Sequence, residues 1–164
     1  MKSCQIFIFT DLDGSLLNHN NFEFKEIKDF ILDCIKNGIK IIPNTSKTNS
    51  EIQVFLDQLG QNLPFIVENG AAIHNLDLVH RKLRFKNNSL VFSRSVNEIL
   101  ELFEKPIPIE LKKRCSFLKD MSSIEQMKIL GLNKKYLPFA LNREYSMPLV
   151  FDGSKELVNK FTVL

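Results

Sequence analysis

"IFIFTDLDGSLL", residues 6–17, decides how the rest of the chain is read. Four apolar residues run straight into two aspartates one position apart, followed by a glycine and a serine. The apolar run is β-prone and too short for a helix, so residues 6–10 read as a short buried strand. Open α/β sheets bind ligands beyond the carboxyl ends of their strands, which is where Asp11 and Asp13 fall. Two anions held that close ask for a cation between them or for one shared proton.

Downstream, Ile27, Phe30, Ile31, Cys34 and Ile35 recur at helical spacing, and Gly38 supplies the stop. Residues 39–42 read as a second strand, with Pro43 tolerable only at its end. A second helix opens near residues 46–48 and buries Ile52, Phe55, Leu56 and Leu59 before Gly60. "LPFIVENGAAI" gives a third strand and a turn. Strand and helix alternating at this spacing specify a parallel sheet with crossover helices, an α/β fold. Beyond Ile73 the pattern changes. "HNLDLVHRKLRF" reads as a hairpin or irregular strand pair, and a helix follows over residues 96–103, ended by Pro106 and Pro108. Ser122 stands three residues before Glu125, a capping-box spacing, and that helix closes on Gly131. Residues 144–151 read as another strand. The expected division is an α/β unit over residues 1–86 and an α+β unit over residues 87–164.

At 164 residues, 44% hydrophobic and 25% charged, the composition is that of a globular protein rather than a disordered or fibrous one. No apolar run reaches the length of a membrane span, and the acidic pair comes too early for a secretory signal, so a cytoplasmic location is expected. Cys4, Cys34 and Cys115 are odd in number and far apart, fitting reduced thiols rather than a disulfide framework. Residues 105–143 hold nine Lys/Arg against three Asp/Glu, either a solvated face or an attraction for an anionic substrate. No aromatic-and-basic recognition motif accompanies them, so nucleic acid is not an expected partner.

Three loops follow strands: residues 11–17, 44–48 and 68–71. Magnesium suits the first, being a hard ion that takes one or two carboxylates and otherwise water and phosphate oxygens. Thr45 and Ser46 lie where a strand meets a helix amino terminus, which gathers hydroxyls and amides onto an anion, and Lys47 adds positive charge. A carboxylate is ionised at neutral pH and is a known phosphoryl acceptor, while a second can serve as general acid and base. The pair therefore reads as a phosphoryl-transfer site. A helix cap plus a turn accounts for one aspartate but not for both together with the Thr-Ser-Lys loop. An EF-hand fails because its sixth position is Leu16 and its twelfth Phe22. No GxGxxG, GxxxxGK or GxSxG stretch occurs, and His19, His74 and His80 lack metal-ligand spacing.

"IFTDLDGSLL" resembles the first motif of the haloacid dehalogenase (HAD) superfamily, with Ser15 in its hydroxyl position, and "IIPNTSKT" resembles the second. "NTSKTNSEI", "PFIVENGAAI" and "NREYSMP" are together similar to mannosyl-3-phosphoglycerate phosphatases, in which an α+β cap is inserted into a Rossmann-like core. The resemblance implies that Asp11 is the phosphorylated nucleophile and Asp13 the acid/base. It implies Mg²⁺ on the Asp11 carboxylate and the Asp13 carbonyl, with Thr45 bonding the phosphoryl group. Ser46, Lys47 and the Glu68-Asn69-Gly70 turn would line the substrate cleft, and Arg143 would meet a substrate anion. The implied substrate is mannosyl-3-phosphoglycerate, with glucosyl-3-phosphoglycerate or another sugar phosphate as the alternative.

Relatives of this kind carry Glu where this chain has Met147. They also carry a third-motif lysine and an acidic fourth motif after the cap, neither of which is found here. Core and cap are thus both expected to be incomplete at the carboxyl end, leaving the first strand as an exposed apolar edge. Weak magnesium binding and little turnover are expected unless a second polypeptide completes the site. The opposing expectation is a silent remnant that keeps a phosphate cradle without hydrolysis.

Overall fold

The computed structural model describes residues 5–18, 23–80, 82, 85–105 and 107–162. Two compact units divide the chain, Met1–Ser93 and Arg94–Leu164. The expected division lay at residues 86/87. The observed one comes later because a strand at Ser89–Val91 pairs back into the first unit.

In the first unit, β1 (Phe7–Thr10) and β2 (Lys40–Pro43) run parallel, in register from Phe7 opposite Lys40 to Thr10 opposite Pro43. Pro43 takes the last position of its strand, where the missing N–H costs least. Between them lies α1 (Lys25–Lys36), and α2 (Asn49–Leu59) leads on to β3 (Phe65–Val67). A parallel bridge from Asn44 to Ile66 continues the sheet towards β3. The parallel-sheet α/β architecture is therefore as expected. Beyond it, β4 (Ala72–His74) and β5 (Ser89–Val91) add antiparallel strands in the order β3-β4-β5. The hairpin or irregular strand pair expected over residues 74–85 does not supply the partner of β4. Residues 76–78 form a 3₁₀ turn, residues 81, 83 and 84 lie outside the described ones, and the strand partner comes later.

The core of this unit is apolar and continuous in composition. Ile52, Phe55, Leu56 and Leu59 are buried from α2, as their spacing requires, with Ile41, Ile42, Phe65 and Val67 from the strands. Helix α2 starts on a full capping box. Thr48 accepts the Glu51 N–H, the Glu51 side chain accepts the Thr48 N–H, and Gly60 ends the helix left-handed at φ 75°.

Two features depart from a closed core. Strand β1 pairs on one side alone among the described residues, and Ile6, Phe7, Ile8 and Phe9 are all exposed, Phe9 to 61%. Its apolar run by itself reads as a buried strand, whereas these side chains are exposed. On α1, Ile31 and Cys34 are buried, whereas Phe30 points out at 70% exposure.

The second unit holds α3 (Val96–Glu104), α4 (Ile109–Lys112), β6 (Cys115–Phe117), α5 (Ser123–Leu130), α6 (Leu137–Leu141), β7 (Leu149–Phe151) and α7 (Lys155–Thr162). Strands β6 and β7 pair antiparallel. The strand expected over residues 144–151 is confined to its last three, after Pro148. Phe103 packs edge-on against Phe117, and Leu111, Leu118, Leu137 and Ala140 are buried. Ser95–Glu98 and Ser122–Glu125 cap α3 and α5 as boxes, and Gly131 closes α5. Cys34 is buried, and burial pushes the Cys115 thiol up from its ordinary pKa. Cys4 lies outside the described residues.

Candidate active site

Parallel pairing brings the ends of β1 and β2 together. The Asn44 N–H donates to the Thr10 carbonyl at 2.8 Å, so the Asp11 loop and the Thr45 loop leave the sheet side by side. Within the first loop, Leu12 is fully buried and accepts from the Ser15 and Leu17 amides at 3.2 and 2.7 Å. Leu12 thus anchors the segment between the two aspartates, and Gly14 takes a left-handed φ of 68° to make the turn. Asp11 is exposed, and its Oδ1 accepts the Leu12 N–H at 2.7 Å.

Asp13 is the half-buried member of the pair. Its Oδ2 lies 3.1 Å from the Lys47 ammonium, tying the first loop to the second. Its Oδ1 is buried with no hydrogen-bond partner among the described residues. A buried carboxylate oxygen without a partner is costly, and it marks a place for a ligand atom, a water or a cation.

The second loop is pinned from both ends. Thr45 is buried, its hydroxyl oxygen accepts the Lys47 N–H at 3.3 Å, and its N–H donates to the Ile66 carbonyl. Ser46 is exposed beside it. Glu68, Asn69 and Gly70 form the third loop, with three successive positive φ values of 47°, 61° and 93°. Only glycine takes such a conformation freely, so Glu68 and Asn69 are held there. Among the bonds that hold them, the Glu68 N–H donates to the Lys47 carbonyl at 3.0 Å and the Asn69 N–H to the Thr45 carbonyl at 3.1 Å. Glu68 is buried, whereas Asn69 and Gly70 are exposed.

The structure therefore brings Asp13, Thr45, Lys47 and Glu68 into one bonded cluster, with Asp11, Ser46, Asn69 and Gly70 on the adjoining loop surface. Arg143 belongs to the second unit. There it lines a cavity of about 130 Å³ with Lys119 and Met147, and its Nη1 donates to the Ser146 hydroxyl at 2.8 Å. His74 stacks on Phe65 and sits 2.8 Å from the Ser89 hydroxyl; His80 is exposed, and His19 lies outside the described residues. Among the described residues no cluster of three or more His, Cys, Asp or Glu side chains forms a metal cage. The oxygen donors at the first loop still suit a hard ion that keeps water and phosphate ligands.

Glu51 is the residue that sequence reasoning missed. Its Oε1 lies 3.4 Å from the Lys47 ammonium while its Oε2 accepts the Thr48 N–H. The signal was there in the T-x-x-E spacing of Thr48 and Glu51 and in the i,i+4 spacing of Lys47 and Glu51.

The family whose description is haloacid dehalogenase-like hydrolase matches residues 8–135, most of the chain. The chain belongs to this family. Its relatives include a glucosyl-3-phosphoglycerate/mannosyl-3-phosphoglycerate phosphatase of Persephonella marina, 31% identical over 156 residues, 92% of this chain and 56% of that protein. A mannosyl-3-phosphoglycerate phosphatase of Pyrococcus furiosus is 29% identical over 144 residues, 85% of this chain and 57% of that protein. This HAD-family chain thus spans little more than half the length of either relative. Among solved structures, a hypothetical protein of Geobacillus kaustophilus matches with a TM-score of 0.61 at 17% identity, over 97% of this chain and 62% of that one. A protein of Thermoplasma acidophilum matches at 0.54 and 19% identity, over 95% and 54%. These two likenesses establish the fold. No helix among the described residues is long and apolar enough to cross a membrane.

Proposed function

We propose that this HAD-family chain carries the phosphoryl-transfer half of a magnesium-dependent phosphatase acting on a small phosphorylated sugar acid, with mannosyl-3-phosphoglycerate as the first substrate to test and glucosyl-3-phosphoglycerate as the second. The observation that carries this reading is the Lys47–Asp13 contact, which puts a cation and a carboxylate at the meeting point of two strand-end loops. The names of the relatives supply the substrate class.

In this reading the Asp11 carboxylate attacks phosphorus. The bond from phosphorus to the glycerate oxygen breaks, and Asp13 gives that oxygen its proton. Asp13 then takes a proton from water, whose oxygen attacks the aspartyl phosphate to release inorganic phosphate and restore Asp11. The buried Thr45 hydroxyl has no acceptor among the described residues and is free to donate to a phosphoryl oxygen. Lys47 balances phosphoryl charge, Ser46, Asn69 and Gly70 contribute the accessible rim, and the Glu68 amide fixes the Lys47 loop. Mg²⁺ would be held by the Asp11 carboxylate and the Asp13 carbonyl and would supply charge neutralisation at the phosphoryl group. Arg143 is the proposed contact for the carboxylate of the sugar acid.

The test mixes the purified chain with Mg²⁺ and mannosyl-3-phosphoglycerate and measures phosphate release. Release that disappears in Asp11→Asn is the expected result. Phosphate bound equally by both forms with no release from either overturns hydrolysis in favour of a binding module. Release restored by a second polypeptide of the same family assigns the activity to the assembled pair. A cytoplasmic location belongs to the same proposal and is checked by fractionating cells.

A further inference from the structure

Among the described residues three helices begin with the same device, and one of the three does something the others do not. At Ser95–Glu98 and at Ser122–Glu125 the glutamate is exposed, and a single oxygen, Oε2, takes both the serine amide and the serine hydroxyl. Neither glutamate has a Lys or Arg within ion-pair distance among the described residues. At Thr48–Glu51 the glutamate side chain is only 12% exposed and its two oxygens are divided, Oε2 on the Thr48 amide at 2.9 Å and Oε1 on the Lys47 ammonium at 3.4 Å. The same ammonium meets Asp13 at 3.1 Å, and the lysine side chain is 11% exposed.

We propose that Glu51 is a positioning residue for the phosphate site: it uses the rigid start of α2 to hold the Lys47 ammonium against Asp13. This rests on the phosphatase reading for the role of the site, but the hold itself stands on the geometry. A lysine carries a point charge on a flexible stem and loses much rotamer freedom when fixed. Asp13 restrains it from a loop. Glu51 restrains it from a helix whose first turn is locked by two reciprocal bonds, so the ammonium is aimed before any anion arrives. Such a cation serves a phosphoryl group better than a mobile one, even though the carboxylate that aims it carries the wrong charge for attracting phosphate.

That opposition of sign provides the test. Glu51→Gln keeps an acceptor for the Thr48 N–H and removes the charge, and Glu98→Gln makes the same change at a box without a lysine. Each protein is labelled with ¹⁵Nζ-lysine, and the Lys47 ammonium signal is assigned by its absence from Lys47→Met. Inorganic phosphate affinity with Mg²⁺ is measured by calorimetry, and thermal unfolding checks that each variant folds. The expected result is an ammonium signal in the parent and in Glu98→Gln that is lost in Glu51→Gln, with phosphate affinity falling several-fold in Glu51→Gln alone. A signal retained in Glu51→Gln overturns the proposal. So does a rise in phosphate affinity there, which is what removing a negative charge does if Glu51 aims nothing. A parent that binds no phosphate counts against the phosphatase reading, and the ammonium signal then decides the role of Glu51 by itself.

Discussion

Lys47 and Asp13 meet through 3.1 Å although they stand on different loops, after different strands, at one end of the parallel pair. The lysine side chain is nearly buried and the aspartate is 36% exposed, so the contact sits between a surface ion pair and an interior one.

Replacing Lys47 by Met leaves Asp13 and Glu51 facing each other's charge without the cation between them. Partial solvent screening limits the cost to about 1–2 kcal/mol. Urea unfolding is expected to show that loss. Any phosphate release by the parent is expected to fall with it, by at least tenfold.

Thr48→Ala removes the N-cap of α2. The hydroxyl that accepts the Glu51 N–H is fully buried, so the loss belongs at the upper end for such caps, about 2 kcal/mol. Ser95→Ala removes an equivalent but exposed cap of α3, and about 1 kcal/mol or less is expected. The two unfolding midpoints, measured side by side, check the ranking.

Phe9→Lys places a charge on the most exposed position of β1. Edge strands without a charge or a proline invite pairing with other chains. Lower dye binding to apolar surface and less light scattering at high protein concentration are expected, with unchanged helix content by circular dichroism.

Glu98 and Glu125 are held below the ordinary carboxylate value of 4.5, chiefly by side-chain hydrogen bonds from Ser95 and Ser122 and then by the serine amides. A carboxylate depressed on folding contributes stability that is present above its ordinary value and lost as pH falls through its folded one. The gap in melting temperature between the parent and Glu125→Gln is therefore expected to be full at pH 7 and to close as the pH is lowered below about 4.5. A gap that does not change with pH would count against the bond as its cause.

Much of this could be read from residues close in sequence. The Ser122–Glu125 spacing and Gly131 marked both ends of α5, and the apolar spacing of Ile52, Phe55, Leu56 and Leu59 marked the buried face of α2. These signals lie within one or two helical turns, where backbone geometry alone decides which residues meet. The partner of β4 was not legible for the opposite reason. The strand that pairs with it lies fifteen residues on at Ser89 opposite His74, and hydrophobic pattern does not say which of two short strands closes a ladder.

By itself the sequence determined that two carboxylates, a Thr-Ser-Lys loop and a Glu-Asn-Gly turn would each follow a strand, because strand and cap signals are local. Only the tertiary structure decided that Lys47 reaches Asp13 and that Glu68 turns inward while Asn69 and Gly70 face solvent. Those outcomes depend on how distant segments approach one another, and burial and ion pairing are properties of that approach rather than of any one stretch of chain.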